Sequence, residues 1–77
     1  MADMQGGYDH VNKRIVLEIG EARHSIPVTV TGTKHAAVSL SAMQAKGLDA
    51  QAIDMAVYIL KKYRNRNGKS FIVTVVD

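Results

Sequence analysis

The sequence predicts an α+β domain with the order strand, strand, helix, helix, strand (ββααβ), in which the helices pack on one face of a small sheet. Three patterns lead to this fold class. Apolar residues alternate in two runs between residues 14 and 31, they recur at helical spacing between residues 53 and 60, and the chain ends in a β-branched run at 71–76. Alternation indicates strands with one buried face, whereas a spacing of three and four residues indicates an amphipathic helix.

The chain has 77 residues, which suits a single domain with a modest core. We expect residues 8–77 to form that domain. Residues 1–7 contain Gly6-Gly7 and no hydrophobic period, so we expect them to be mobile.

Two alternating runs predict a β-hairpin. The first contains Ile15, Leu17 and Ile19, the turn spans residues 20–23, and the second run contains Ile26, Val28 and Val30. Pro27 lies in the second run and has no amide hydrogen to donate to a neighbouring strand. It therefore places this strand at the edge of the sheet or, as the alternative, ends the hairpin early.

Two helices are expected after the hairpin. The composition of residues 36–46 suits a short helix, for which Ser39 or Ser41 is a candidate N-cap and Gly47 a stop signal. Asp49 is a candidate N-cap of the next helix.

The second predicted helix has the clearest pattern in the chain. Ile53, Ala56, Val57 and Leu60 share one face, and Met55 and Ile59 widen it. Asn67-Gly68 is expected to end this helix, since Gly adopts the left-handed conformation readily. The strand predicted over 71–76 is apolar on both faces, which is typical of a central strand or of one that pairs with its copy in a second subunit.

Positive charge is concentrated after the second predicted helix. Five of the ten Lys and Arg residues fall within nine positions, namely Lys61, Lys62, Arg64, Arg66 and Lys69. The first 60 residues carry five basic and six acidic residues, a balance of 5 − 6 = −1. One or two cations complement the negative end of a helix dipole, and five exceed that need. We call these five residues the cationic cluster and regard them, with Tyr63 between them, as the candidate binding site.

Three hypotheses follow for the cationic cluster. In the first, the domain is a non-enzymatic binding or regulatory module that contacts an acidic protein or its own copy, with Tyr58 and Tyr63 as anchors. In the second, it binds nucleic acid without reading sequence: the cations neutralise phosphates and Tyr63 stacks on a base. In the third, the cluster is only a solvated helix end. Small phage-encoded inhibitors of bacterial defence or transcription complexes are one group of proteins compatible with this size.

No motif in the sequence predicts catalysis or a cofactor. His10, His24 and His35 are spaced too widely for a typical structural zinc site, and cysteine is absent. The serines lie in no recognisable nucleophile motif, and the glycines lack phosphate-loop spacing. We therefore expect no enzymatic activity, no metal, no cofactor and no small-molecule substrate. With neither a signal peptide nor a membrane-length apolar run, a cytoplasmic protein that does not enter the membrane is expected.

The layout resembles that of a family of small bacterial proteins of unassigned function. Tyr8-Asp9 precedes Arg14-Ile15, an apolar strand returns, an amphipathic helix ends in basic residues, and the chain closes with Val73, Val75 and Asp77. The resemblance covers most of the chain at the level of layout. It implies a domain of prokaryotic or phage type, and it implies no activity and no site residues.

Overall fold

The computed structural model describes residues 3–77 and has six strands and two helices among them. In chain order the elements are β1 (Met4–Asp9), β2 (Arg14–Ile19), β3 (Ala22–Pro27), β4 (Thr29–Thr31), β5 (His35–Ser39), α1 (Leu40–Ala45), α2 (Ala50–Lys62) and β6 (Ile72–Val76). The predicted α+β class and the order of hairpin, two helices and C-terminal strand are confirmed. The strands form two three-stranded sheets.

The first sheet is antiparallel and has the order β1-β2-β3. Its central strand buries Ile15 and Leu17 completely, and Ile26 of β3 joins them in the core. This burial is what the alternating pattern predicts for a strand with one face on the core. β3 is an edge strand that ends at the exposed Pro27, as expected of a residue that cannot donate to a ladder.

The second sheet has the order β4-β5-β6, with β4 antiparallel and β6 parallel to the central β5. Both helices lie in the connection from β5 to β6. The Ser39 hydroxyl caps α1 by accepting from the Ala42 N–H at 3.2 Å, and Asp49 caps α2 by accepting from the Ala52 N–H at 2.9 Å. Both capping interactions satisfy amides that a helix leaves free at its first turn.

Helix α2 joins the two sheets, because it contacts β1 and β2 of the first and β6 of the second. Its side chains Ala52, Ala56 and Leu60 are buried, whereas Ile53 and Val57 of the predicted stripe are half-buried. Met43 of α1 and Leu48 between the helices complete the core. The predicted apolar stripe therefore faces the core, but the most buried positions of the helix are Ala52, Ala56 and Leu60.

Three predictions for the first half of the chain are wrong. Residues 4–7, expected to be mobile, belong to β1; residues 1–2 of that segment lie outside the described residues. The predicted second strand is two strands, because the ladder of the first sheet ends at Pro27 and the chain enters the second sheet. The segment 36–39, expected to be helical, is strand β5, since it is held between β4 and β6. Tertiary pairing overrides helix propensity there.

The C-terminal strand was predicted over 71–76 and is observed as β6 over Ile72–Val76. It is an edge strand with Ile72, Val75 and Val76 exposed, so within one chain it is not the doubly buried central strand that its composition suggests. The alternative, pairing with a second copy, stays a prediction.

Candidate binding surface

Helix α2 ends earlier than predicted, and this changes the setting of the cationic cluster. The last helical residue is Lys62, and Tyr63 is extended, with φ −64° and ψ 135°. Asn67 and Gly68 do not end the helix. They form the tip of a loop in which the Gly68 N–H donates to the Asn65 carbonyl at 2.9 Å and Gly68 adopts a φ of +73°. Only Lys61 and Lys62 of the cluster are therefore helical.

The loop after α2 is closed by its own hydrogen bonds. Arg64 and Ser70 form an isolated antiparallel bridge, and the Asn65 N–H donates to the Lys69 carbonyl at 3.0 Å. The Asn65 side-chain oxygen accepts from the amides of Asn67 and Lys69. These bonds hold the backbone of the loop in a defined conformation, so the basic side chains project from an ordered support.

Three of the four aromatic residues of the chain meet where this loop joins the sheets. The ring centroid of Tyr63 lies 4.8 Å from that of Tyr8 in β1 and 5.7 Å from that of Phe71, which precedes β6. Tyr8 and Phe71 are also in edge contact, at 5.5 Å. We call these three residues the aromatic cluster. Edge-to-face and offset-stacked rings attract one another beyond the area they bury, which explains why Tyr63 leaves the helix axis and turns inward.

A surface cleft of about 370 Å³ opens beside the aromatic cluster. We call it the aromatic cleft. Its floor contains the three rings and Val30, and its rim contains Lys13 and Arg66 with His10 and several neutral polar side chains. Among the described residues that line it there is no Asp or Glu. The cleft therefore combines an apolar floor with a positive rim.

Asp9 shapes the turn that brings His10 and Lys13 to this rim. Its carboxylate accepts bonds from the amides of Val11 and Asn12 and from the Asn12 side chain. These hydrogen bonds lower the pKa of the Asp9 carboxyl below its ordinary value, and the bonds from Asn12 have the largest effect. Lys13 takes a left-handed conformation, with φ 53°, to complete the turn.

Tyr8 is affected by its position in the aromatic cluster. Burial raises the pKa of the Tyr8 hydroxyl, and Tyr63 and Asp9 raise it further. The Tyr8 hydroxyl is therefore harder to deprotonate than that of an ordinary tyrosine.

The cations of the cluster point to several sides of the domain. Lys61 lines a cleft beside Val75, Lys62 lies with its Nζ 5.5 Å from the centroid of the Tyr58 ring, and Arg66 lines the aromatic cleft. Arg64 donates from Nη1 to the Gly68 carbonyl at 2.9 Å, and Lys69 is exposed in the loop. Of the six predicted site residues, Tyr63 and Arg66 line the aromatic cleft, and Tyr63 and Lys62 line a neighbouring cleft beside Gly7.

The cationic cluster forms no ion pair with the part of the chain that the structure describes. In residues 3–77 the ion pair present is that of Arg14 with Asp9, at 3.3 Å, and no member of the cationic cluster takes part in one. Tyr58, the other predicted anchor, is 54% exposed on α2. Its ring and the Lys62 ammonium group are arranged as a cation–π pair on the helix surface.

Sequence reasoning missed most of the residues that line the aromatic cleft, among them Tyr8, His10, Lys13 and Phe71. They are distant in sequence from the cationic cluster and reach it only through the pairing of β1 with β2 and the placement of β6. No local pattern in the sequence joins these residues to the cationic cluster.

The three histidines lie apart on a turn, on β3 and at the start of β5. Within residues 3–77, no three His, Asp or Glu side chains are grouped so that they would hold a metal ion. The helices in the described part of the chain are too short or too polar to cross a membrane. Comparisons with protein-family models, with curated proteins and with solved structures find no match to this chain. The resemblance to a bacterial family therefore stays a prediction.

Proposed function

We propose that this chain is a non-enzymatic binding domain that contacts an acidic partner protein through the aromatic cleft and the cations around it. The observation that carries the proposal is the joining of three aromatic rings with Lys13 and Arg66 in one cleft whose lining has no carboxylate. Aromatic and Arg residues contribute most of the binding free energy in many protein interfaces. A large apolar side chain flanked by Asp or Glu residues is the complementary ligand.

The two kinds of group have separate roles. The apolar floor receives the partner's side chain, whose burial supplies roughly 25 cal/mol per Å² of apolar surface. Arg66 presents a planar guanidinium group that pairs with a carboxylate through two parallel hydrogen bonds, whereas Lys13 acts as a point charge at the rim. Lys62 and Lys69 lie outside the cleft and attract an acidic surface over longer distances.

Two features favour a protein partner over a nucleic acid. Tyr63, the predicted stacking residue, is half-buried and already contacts the rings of Tyr8 and Phe71. Lys61, Lys62 and Arg66 line three different clefts, whereas tracking a phosphate backbone needs cations along one continuous groove.

Sequence-independent nucleic acid binding is the second candidate function. The exposed Tyr58 ring with the Lys62 ammonium group beside it favours this candidate, since an exposed ring next to a cation can stack on a base while the cation meets a phosphate.

Fluorescence anisotropy distinguishes the candidates. The probes are a labelled short peptide of Asp and Glu residues around one Phe, the same peptide with Ala in place of Phe, and labelled single-stranded oligothymidine, each at low and at raised salt. We expect the Phe peptide to bind most tightly. Arg66→Gln should weaken that binding, and Lys46→Gln, which removes an exposed cation from the connection between the helices, should not.

Two results would count against an acidic protein partner. Tight binding of oligothymidine with no binding of either peptide would favour the nucleic acid candidate. Equal binding of the Phe and Ala peptides would mean that charge alone attracts them and that the aromatic cleft has no part in recognition.

A further inference from the structure

The outer side of β6 is the one apolar strand edge that the described chain leaves open. We propose that a second copy of this chain pairs with it in an antiparallel register centred on Thr74, so that the second sheet continues across a two-fold axis into a dimer. β6 has no charged residue and no proline, and its Ile72, Val75 and Val76 side chains are 55%, 44% and 45% exposed. Open edges of this composition pair with other strands.

The other sheet edges carry features that discourage such pairing. β4 has three residues, two of them Thr, and β3 carries Arg23 and ends at Pro27. β1 contains Gln5 and two glycines. Short strands, charged side chains and proline are the usual means by which proteins protect sheet edges.

The hydrogen bonds of β6 limit the possible registers. The Ile72 N–H donates to the Lys34 carbonyl of the β5 side at 2.7 Å. Because backbone groups alternate along a strand, Thr74 also points toward β5, and Val73 and Val75 point their N–H and C=O groups to the open edge. An antiparallel pair needs edge-facing residues opposite one another, and a two-fold axis at Thr74 places Val73 opposite Val75 of the second copy.

The side chains suit the same register. Thr74 faces its own copy in a pair without hydrogen bonds, where side chains approach most closely, and Ile72 faces Val76. Thr–Thr pairs and pairs of β-branched apolar residues are among the favourable cross-strand combinations. Every pair in this register is therefore apolar with apolar or hydroxyl with hydroxyl.

Helix α2 adds charge complementarity that selects a second copy as the occupant. Asp54 and Lys61 line the cleft beside Val75 together with the apolar Ile53 and Val57. They are about two helical turns apart on one side of the helix. A two-fold axis makes the two α2 helices antiparallel, so that Asp54 of each copy approaches Lys61 of the other, twice in the dimer.

The dimer does not depend on the proposed acidic partner. Lys61 belongs to the dimer surface, while Arg66 and Lys13 remain at the aromatic cleft. A dimer presents two such clefts, so a partner with two acidic segments would gain avidity.

Sedimentation velocity over a range of protein concentrations tests the inference, with circular dichroism as the check on folding. The wild-type chain should dimerise as the concentration rises. Thr74→Lys places like charges on the axis and should weaken the dimer more than about tenfold, whereas Thr74→Val should leave it intact.

A charge-exchange series tests the register independently. Asp54→Lys and Lys61→Asp should each weaken the dimer, and the double variant should restore it, because the pairs across the axis are then reversed. A chain that stays monomeric at every concentration would overturn the proposal. So would a dimer that tolerates Thr74→Lys, or a double variant as weak as the single ones. None of these measurements uses a peptide or an oligonucleotide. Failure of the dimer proposal can therefore be distinguished from failure of the proposed acidic partner.

Discussion

The two sheets of this domain differ in how far their apolar side chains are buried. In the first sheet, the central β2 buries Ile15 and Leu17 completely, and the outer strands carry polar, charged or proline residues. In the second sheet, the central β5 is also buried, but the outer β6 leaves Ile72 and Val76 about half exposed. The outer strands of the first sheet thus carry residues that discourage edge pairing, and β6 does not. The first sheet packs its apolar side chains into the core, whereas the edge of β6 is where we propose that a second copy pairs.

The largest expected effect separates the two sheets directly. Leu17→Ala removes a fully buried side chain from β2 and should lower the free energy of unfolding by about 2–5 kcal/mol. Val76→Ala on the exposed face of β6 should change it by less than about 0.5 kcal/mol in dilute protein. Urea denaturation followed by circular dichroism measures both values. Similar losses for the two variants would mean that β6 contributes to the core as much as β2 does.

A matched pair of glycine variants tests whether β1 belongs to the first sheet. A Cβ on Gly6 would overlap the carbonyl oxygen of Val16 in the neighbouring strand, whereas a Cβ on Gly7 would meet no atom. Gly6→Ala should therefore cost about 1–3 kcal/mol of unfolding free energy through overpacking, and Gly7→Ala should cost little. Thermal unfolding of both variants provides the measurement. If both are tolerated equally, residues 4–7 do not form this strand.

Acid should loosen the turn that brings His10 and Lys13 to the aromatic cleft. The pKa of Asp9 is lowered in the folded chain, so its contribution to stability is complete above the ordinary value of 3.8 and is lost as the pH falls through the lowered value. Asp9→Asn removes the titrating carboxyl and should therefore reduce the loss of stability at acidic pH. Unfolding curves recorded between neutral and acidic pH measure it, and identical pH profiles for the two proteins would contradict the prediction.

The smallest expected effect concerns the cationic cluster. Replacing Lys62, Arg64 and Arg66 together with Ala should change the unfolding free energy by no more than about 1 kcal/mol, since exposed charges contribute little to stability. The same variant should lose binding of the acidic Phe peptide. Substantial unfolding of this triple variant would instead show that the cluster has a structural role.

The accuracy of the sequence predictions also differs between regions. The hairpin of β2 and β3, the caps at Ser39 and Asp49 and the burial of Ala56 and Leu60 on α2 depend on local patterns, and these predictions are confirmed. β1 has no hydrophobic period because Gly6 is required by close approach to β2, so its pairing is visible only in three dimensions. β5 contains the short apolar run Ala36–Val38, which as a sequence is compatible with a helix or a strand.

The candidate binding surface was also predicted only in part, because part of it depends on contacts between residues that are far apart in the chain. The cationic cluster is contiguous in sequence and was identified there, but the directions of its side chains depend on where α2 ends. Directly after that position, Tyr63 contacts Tyr8 and Phe71, two residues far apart in the chain. No local pattern contains this contact.

Amide hydrogen exchange measured by NMR at several protein concentrations tests most directly whether the open edge of β6 is a pairing surface. If β6 pairs with a second copy, the amides of Val73 and Val75, which point away from β5, should exchange more slowly as the concentration rises. The amides of Ile72 and Thr74, already bonded toward β5 in the monomer, should change much less. Exchange at Val73 and Val75 that does not depend on concentration would contradict the account, as would an equal slowing at all four positions.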